Sequence, residues 1–419
     1  MATRRIFLKD GALAVVGLSM VPGFVYRTAL AAQPLLAKNK KLVVVFQRGG
    51  VDGLNMVVPF GDKHYYEHRP TIAVPAPSSE RPGAIDLDGF FGLHPALEPL
   101  HEIYQREELA IVQAVGSPHD TRSHFDAQSY MESAAPGSKR SDGWLNRYMH
   151  ENQHPEATSF RGVALGDVLP KTLEGPAPVL AVGDLTGSGK VLGARSLFES
   201  LYDRDTNSLL SGTSKEMFNA IDQLAELNAA TYEPENGANY GNVDNANNAN
   251  AQFGRPMRQL AQLIKADLGV EIAFVDIGGW DTHRGQGSLE GRLPQRLQIF
   301  ARVLAAFYKD MGDRMDDIVV LTMSEFGRTA RENGSAGTDH GKANVMFAMG
   351  GGVKGGKVYT DWPGLAPEQL NEDRDLAMTT DFRDVFAEVI TGHMGADRPD
   401  AIFPDFTVDK KRFKGLMHV

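Results

Sequence analysis

One stretch, Ile318 to Gly341, carries Glu325, Arg328, Asp339 and His340 directly after an apolar run, and Lys342 follows. Carboxylate and imidazole together suit a divalent metal or general acid–base work, and cations beside them suit an anionic substrate. A capping loop with surface ion pairs would use the same residues. A second group is Gly278-Gly279-Trp280-Asp281-Thr282-His283. An irregular turn can aim Asp281 and His283 at one ion, such as zinc, manganese or iron; an Asp–His hydrogen bond holding a loop is the competing use. The third group is His119-Asp120-Thr121-Arg122-Ser123-His124, with His119 and His124 as further catalytic candidates. Thr121 and Ser123 each suit a helix cap, or a hydroxyl nucleophile where free N–H groups and the helix dipole stabilise an anion. The fourth is Arg48-Gly49-Gly50-Val51-Asp52-Gly53, a sharp turn that either brings Asp52 to a ligand or uses it for local hydrogen bonds.

Each group follows an apolar run of strand length: Lys40–Gln47, Leu109–Val115, Val270–Ile277 and Ile318–Met323. Six nearly unbroken apolar residues are what a central parallel strand needs, because both its faces are covered. Further strands are predicted at Val179–Val182 and Ala343–Met349. Helices are predicted at His94–Gln105, Asp126–Glu132, Trp144–Met149, Leu209–Leu227, Pro256–Asp267, Leu293–Met315 and Thr380–Ile390. This is the pattern of an α/β fold, doubly wound, with a mostly parallel central sheet flanked by helices. Its carboxyl strand ends gather at one edge. Asp52, Asp281, His283, Glu325, Asp339 and His340 would there supply about the ligands two divalent metals need. Arg48, Arg122, Arg328 and Lys342 would favour a small anionic ester, phosphoryl or sulfuryl. His393, past the last helix, reads as a surface residue.

The start of the chain reads as a leader. Thr3-Arg4-Arg5-Ile6-Phe7-Leu8-Lys9, a mild apolar run and Ala29-Leu30-Ala31 match a twin-arginine export signal, residues 1–31, and so imply that export machinery as a partner and a periplasmic or otherwise extracytoplasmic location. Loss of Arg4, Arg5, Lys9, Arg27 and Asp10 with it moves the net charge from −10 to −13. Such an acidic protein is a poor general partner for nucleic acid. No later segment is apolar enough to span a membrane. Without cysteine there are no disulfides or thiolates, so any metal must use oxygen and imidazole. Residues 40–419 read as a single domain, and the Asn-, Gly- and Ala-rich segment 233–252 as a flexible insertion or long surface loop.

The leader, RGGVDGLN, SPHDTRSHFDAQ, GGWDTH and SEFGRTARENGSAGTDHG together resemble the family catalogued as domain of unknown function 1501, over nearly the whole chain after the leader. That family is placed with the alkaline phosphatase and sulfatase superfamily. The resemblance implies an alkaline phosphatase-like fold, a site at the strand ends for one or two divalent ions (zinc, manganese, iron, magnesium or calcium), and hydrolysis of phosphate or sulfate esters. By position Asp52 is similar to the superfamily's first-strand metal aspartate, Asp281 and His283 to its central ligands, and His340 to its last histidine. Glu325 falls where an Asp-His pair begins, with Phe326 in place of the histidine unless Asp339-His340 has taken over. Thr121 and Ser123 are left as possible nucleophiles. A non-catalytic cell-envelope binding protein that keeps the fold is the alternative.

Overall fold

Lys41–Gln47 is buried at every position after its first, and its side chains alternate between two separate cores. Val43 and Val45 face one core, and Leu42, Val44 and Phe46 the other. A strand covered on both faces gains nothing from polar alternation, which explains its continuous apolar run. The computed structural model describes residues 5–9, 12–15, 40–166, 168–183, 223, 232–243 and 251–418.

Among the described residues eleven strands form the main sheet: β1 (Arg5–Lys9), β2 (Ala12–Val15), β3 (Lys41–Gln47), β4 (Leu109–Gly116), β5 (Gly162–Leu165), β6 (Val179–Val182), β7 (Ile272–Ile277), β8 (Ile318–Met323), β9 (Asn344–Met349), β10 (Lys357–Tyr359) and β11 (Thr380–Asp381). Their order is β10-β4-β9-β8-β3-β7-β5-β6-β1-β2, with β11 also paired to β4. The run β8-β3-β7-β5-β6-β1 is parallel throughout. β9 runs antiparallel between β8 and β4, so the sheet is mixed though mostly parallel. The exits of β3, β4, β7 and β8 and the entry of β9 therefore lie at one edge. β1 and β2 come from the segment expected to be a leader, and dock beside β6.

Helices α1 (Gly53–Met56), α2 (Lys63–His68), α3 (Glu98–Gln105), α4 (His124–Ser133), α5 (Trp144–Glu151), α6 (Ala251–Lys265), α7 (Arg292–Met311) and α8 (Phe382–Gly392) position the edges. Leu100 of α3, Phe253 of α6 and Phe300 and Phe307 of α7 share the core of Val43, while Trp144 of α5 and Phe386 of α8 share that of Leu42. Truncating Phe300, 0% exposed, to alanine should cost about 3–5 kcal/mol. α7 stops four residues earlier than its apolar spacing predicts, because Gly312 turns left-handed at φ +51°. The predicted helix Leu209–Leu227 lies outside the described residues apart from Gln223.

Two further expectations change. Residues 233–243 of the Asn-rich segment are tethered, since Tyr240 and, just before the segment, Tyr232 donate their hydroxyls to buried Asp310 at 2.7 and 2.8 Å and Val243 joins the core. His393 is buried, not superficial: its Nε2–H donates to the Lys41 carbonyl at 3.0 Å. Among the described residues no helix is long and apolar enough to cross a membrane.

Candidate functional site

The β3 exit turns at Gly49 and Gly50, both left-handed at φ +122° and +65°. A Cβ on Gly49 would stand 2.8 Å from the Asp281 backbone nitrogen, and one on Gly50 2.6 Å from the Phe326 ring. Glycine is thus what lets the β3, β7 and β8 exits close on one another. The loop between β8 and β9 folds back on itself, with Arg328 bridged to His340 and the Gly341 N–H donating to the Gly327 carbonyl at 2.8 Å. That pairing returns His340 to the edge from which Glu325 departs.

Asp281 lies at the centre. Its Oδ1 is 3.0 Å from His283 Nε2, 3.2 Å from His340 Nε2 and 2.6 Å from Arg328 Nη2; its Oδ2 is 3.6 Å from His124 Nε2. Ligand atoms of His124, Asp281 and His340 all fall within 4.8 Å of one another. Each imidazole is held from behind. His124 Nδ1 faces Glu325 Oε1 at 2.7 Å, His283 Nδ1 faces Asp339 Oδ1 at 2.8 Å, and His340 Nδ1 donates to the Arg122 carbonyl at 2.9 Å. His124 Nε2 is buried with no hydrogen-bond partner. A buried, unpartnered nitrogen facing a carboxylate fits a divalent ion better than it fits a closed protein network.

Burial alone would push Glu325 up, but bonds from His124, Gln128 and the Gly49 N–H hold it below the usual carboxylate range. The same contest, burial against Arg328 and the histidines, leaves Asp281 low. For His124 the bond to Glu325 wins over burial and raises it, whereas burial lowers His340.

Not all predicted residues meet here. Asp52 is 0% exposed, bonds Arg69 Nη1 at 2.6 Å and accepts from Gln286, while capping α1. Its carboxylate is engaged in a buried ion pair. Arg328, expected to contact substrate, is 2% exposed, and its guanidinium binds the carbonyls of Gly49, Gly50, Trp280 and Thr338 as well as Asp281. Arg48 is likewise occupied, by Asp276, Gln128 and Glu132. Glu325 and Asp339 stand behind histidines, as given above. Ser123 Oγ caps α4, accepting from the Asp126 N–H at 3.4 Å, and Thr121 Oγ1 accepts from the Ser123 N–H at 3.2 Å. Thr121, Arg122 and Lys342 line a cleft with Glu325, Phe326 and Asp375, and His119 lines it as well, its ring edge-to-face with that of Tyr130. Lys342 pairs there with Asp120, and Arg122 with Glu372 and Asp375.

Sequence reasoning missed Arg69, Gln128 and Gln286. His124, Gln128 and Glu132 recur every fourth residue along α4, a readable signal that one helix face meets the site. Arg69 and Gln286 offered none. Phe326 fills the flank of the site, its ring 4.9 Å from that of His124 and 4.7 Å from that of His340.

Residues 39–403 match the model described as "Protein of unknown function (DUF1501)", and the chain belongs to that family. No curated protein matches it in sequence. Among solved structures it is similar to the PsFucS1 sulfatase from Pseudoalteromonas sp., at 12% identity and TM-score 0.34 over 77% of this chain and 65% of that one. The chain thus spans just under two thirds of that sulfatase's length. It is also similar to the C-terminal periplasmic domain of EcEptC from Escherichia coli, at 10% identity and TM-score 0.34 over 91% and 92% of the two chains.

Proposed function

We propose that this chain is an exported, divalent-metal-dependent hydrolase of phosphate or sulfate esters on an alkaline phosphatase-like fold. The observation that carries the reading is the convergence of Asp281, His124, His283 and His340 near the cleft of Thr121, Arg122 and Lys342. A divalent ion held by the first group supplies positive charge to the oxygens of the ester. The chain's own groups do the rest. Arg122 and Lys342 hold the anion, exchanging the exposed carboxylates of Glu372 and Asp120 for it. Thr121 or Ser123 presents a hydroxyl near the start of α4, beside His119, whose Nδ1 accepts the Thr121 N–H at 3.1 Å. The twin-arginine leader would export the protein already folded around its ion.

Turnover of an aryl phosphate and an aryl sulfate by the zinc- or manganese-loaded protein is the test. Activity lost on chelation and in Asp281→Asn supports the reading; no turnover of either ester by folded, loaded protein overturns it. One observation favours the non-catalytic binding protein instead: both hydroxyls serve local backbone N–H groups. Saturable binding of phosphate or sulfate without turnover would select that alternative.

A further inference from the structure

We infer that the site holds one ion, not two, and that its ligands are His124 Nε2, His283 Nε2, His340 Nε2 and Asp281, with Glu325 and Asp339 orienting histidines from outside the coordination sphere. The inference deepens the metal-dependent reading and relies on it only for the presence of a divalent ion.

Tautomers carry the argument. The Arg122 carbonyl can only accept, so His340 Nδ1 carries hydrogen, and in the neutral ring that binds metal its Nε2 carries the lone pair. Glu325 and Asp339 accept from the Nδ1–H groups of His124 and His283 in the same way. All three Nε2 lone pairs are therefore turned toward Asp281. Two of them, on His283 and His340, lie 3.0 Å apart, a spacing at which bare lone pairs repel and a shared cation attracts. Spacing also fits. Four donors about 2.1 Å from one centre stand about 3.4 Å apart in a tetrahedron. Four of the separations are near that value: His283 to His340 and His283 to Asp281 Oδ1 at 3.0 Å, His340 to Asp281 Oδ1 at 3.2 Å and His124 to Asp281 Oδ2 at 3.6 Å.

Among the described residues a second ion lacks a place and ligands. Phe326 closes the flank between His124 and His340, Arg328 brings a fixed positive charge to Asp281, and Asp52 is bound to Arg69. Three imidazoles and one carboxylate form a site for zinc, iron or manganese, whereas magnesium and calcium prefer oxygen shells. The outer residues continue in chain. Gln128 donates to Glu325 at 2.9 Å and accepts from Arg48 at 3.0 Å, so α4 and the β3 exit brace the carboxylate that aims His124.

The experiment is zinc titration of the full-length chain by calorimetry, with metal per chain measured independently and X-ray absorption read for imidazole ligands. One equivalent with three imidazoles is expected. His124→Gln, His283→Gln, His340→Gln and Asp281→Asn should each weaken binding by more than about hundredfold. Glu325→Gln and Asp339→Asn should keep one equivalent and weaken it about 10- to 100-fold, as outer-sphere changes do. Magnesium and calcium should not compete. Two equivalents, fewer than three imidazoles, unaffected binding in folded His124→Gln, or complete loss in Glu325→Gln would each overturn the assignment. The absorption spectrum of the wild-type site tests it even where a variant fails to fold. One ion bound as stated, with no ester turnover, would refute the hydrolase and leave this ligand set standing.

Discussion

Asp52 and Arg69 form an ion pair, Oδ2 to Nη1 at 2.6 Å, in which the carboxylate is 1% and the guanidinium 0% exposed. Gln286 and Asn55 complete its hydrogen bonding, and Arg69 also donates to the carbonyls of Thr329 and Ala330. Removing one partner of such a pair leaves a buried charge without its counterion, a loss of about 3–5 kcal/mol. Arg69→Met should lower unfolding free energy by that amount in urea. Asp52→Asn should also destabilise, while zinc content stays at the wild-type level. Loss of metal from Asp52→Asn with stability intact would restore the ligand role that its position suggested.

The contrast between Asp52 and Asp281 shows what the sequence revealed. Apolar runs before each polar turn located β3, β4, β7 and β8, and a parallel sheet then required their exits to share an edge. His283 and His340 came together for that reason. Burial depth was not written in the same pattern. Asp52 and Asp281 both follow a strand and glycines, yet one is sealed and the other 46% exposed. The difference depends on Arg69 and Gln286, neither of which belongs to a motif. Arg328 was legible as a cation of the site but not as a clasp, because the carbonyls it holds belong to three separate loops.

Arg328→Lys should be far from conservative. One ammonium cannot reach Gly50, Thr338, Trp280 and Asp281 together, and carbonyls stripped of a buried donor cost roughly 1–3 kcal/mol each. A loss of about 3 kcal/mol in urea unfolding is expected, along with weaker zinc binding as the β3 and β7 turns separate. A lysine variant of wild-type stability would mean that the clasp contributes little.

Ser123→Ala removes the α4 cap and should cost about 1 kcal/mol, and Ser123→Asp should recover it, since aspartate caps equally well beside the helix dipole. Chemical denaturation measures both. If instead Ser123→Asp unfolds as easily as Ser123→Ala, the hydroxyl is not acting as a cap.

His393 gives the chain an acid-sensitive point remote from the site. Burial, only partly opposed by its bond to the Lys41 carbonyl, depresses this imidazole from 6.5 to about 4, with Lys40 lowering it further and Asp317 pulling the other way. The folded state therefore needs the neutral ring. Below pH 6.5 the unfolded chain takes up a proton that the native chain refuses until about pH 4. Stability from this residue is complete above 6.5 and drains away as pH falls toward 4, by about 3 kcal/mol in all. Glutamine at this position can still donate to the Lys41 carbonyl without titrating. Urea unfolding at pH 7 and pH 4.5 should accordingly show a smaller acid loss in His393→Gln than in the wild type, by about 2–3 kcal/mol. Equal losses in the two proteins would assign the acid sensitivity to other groups.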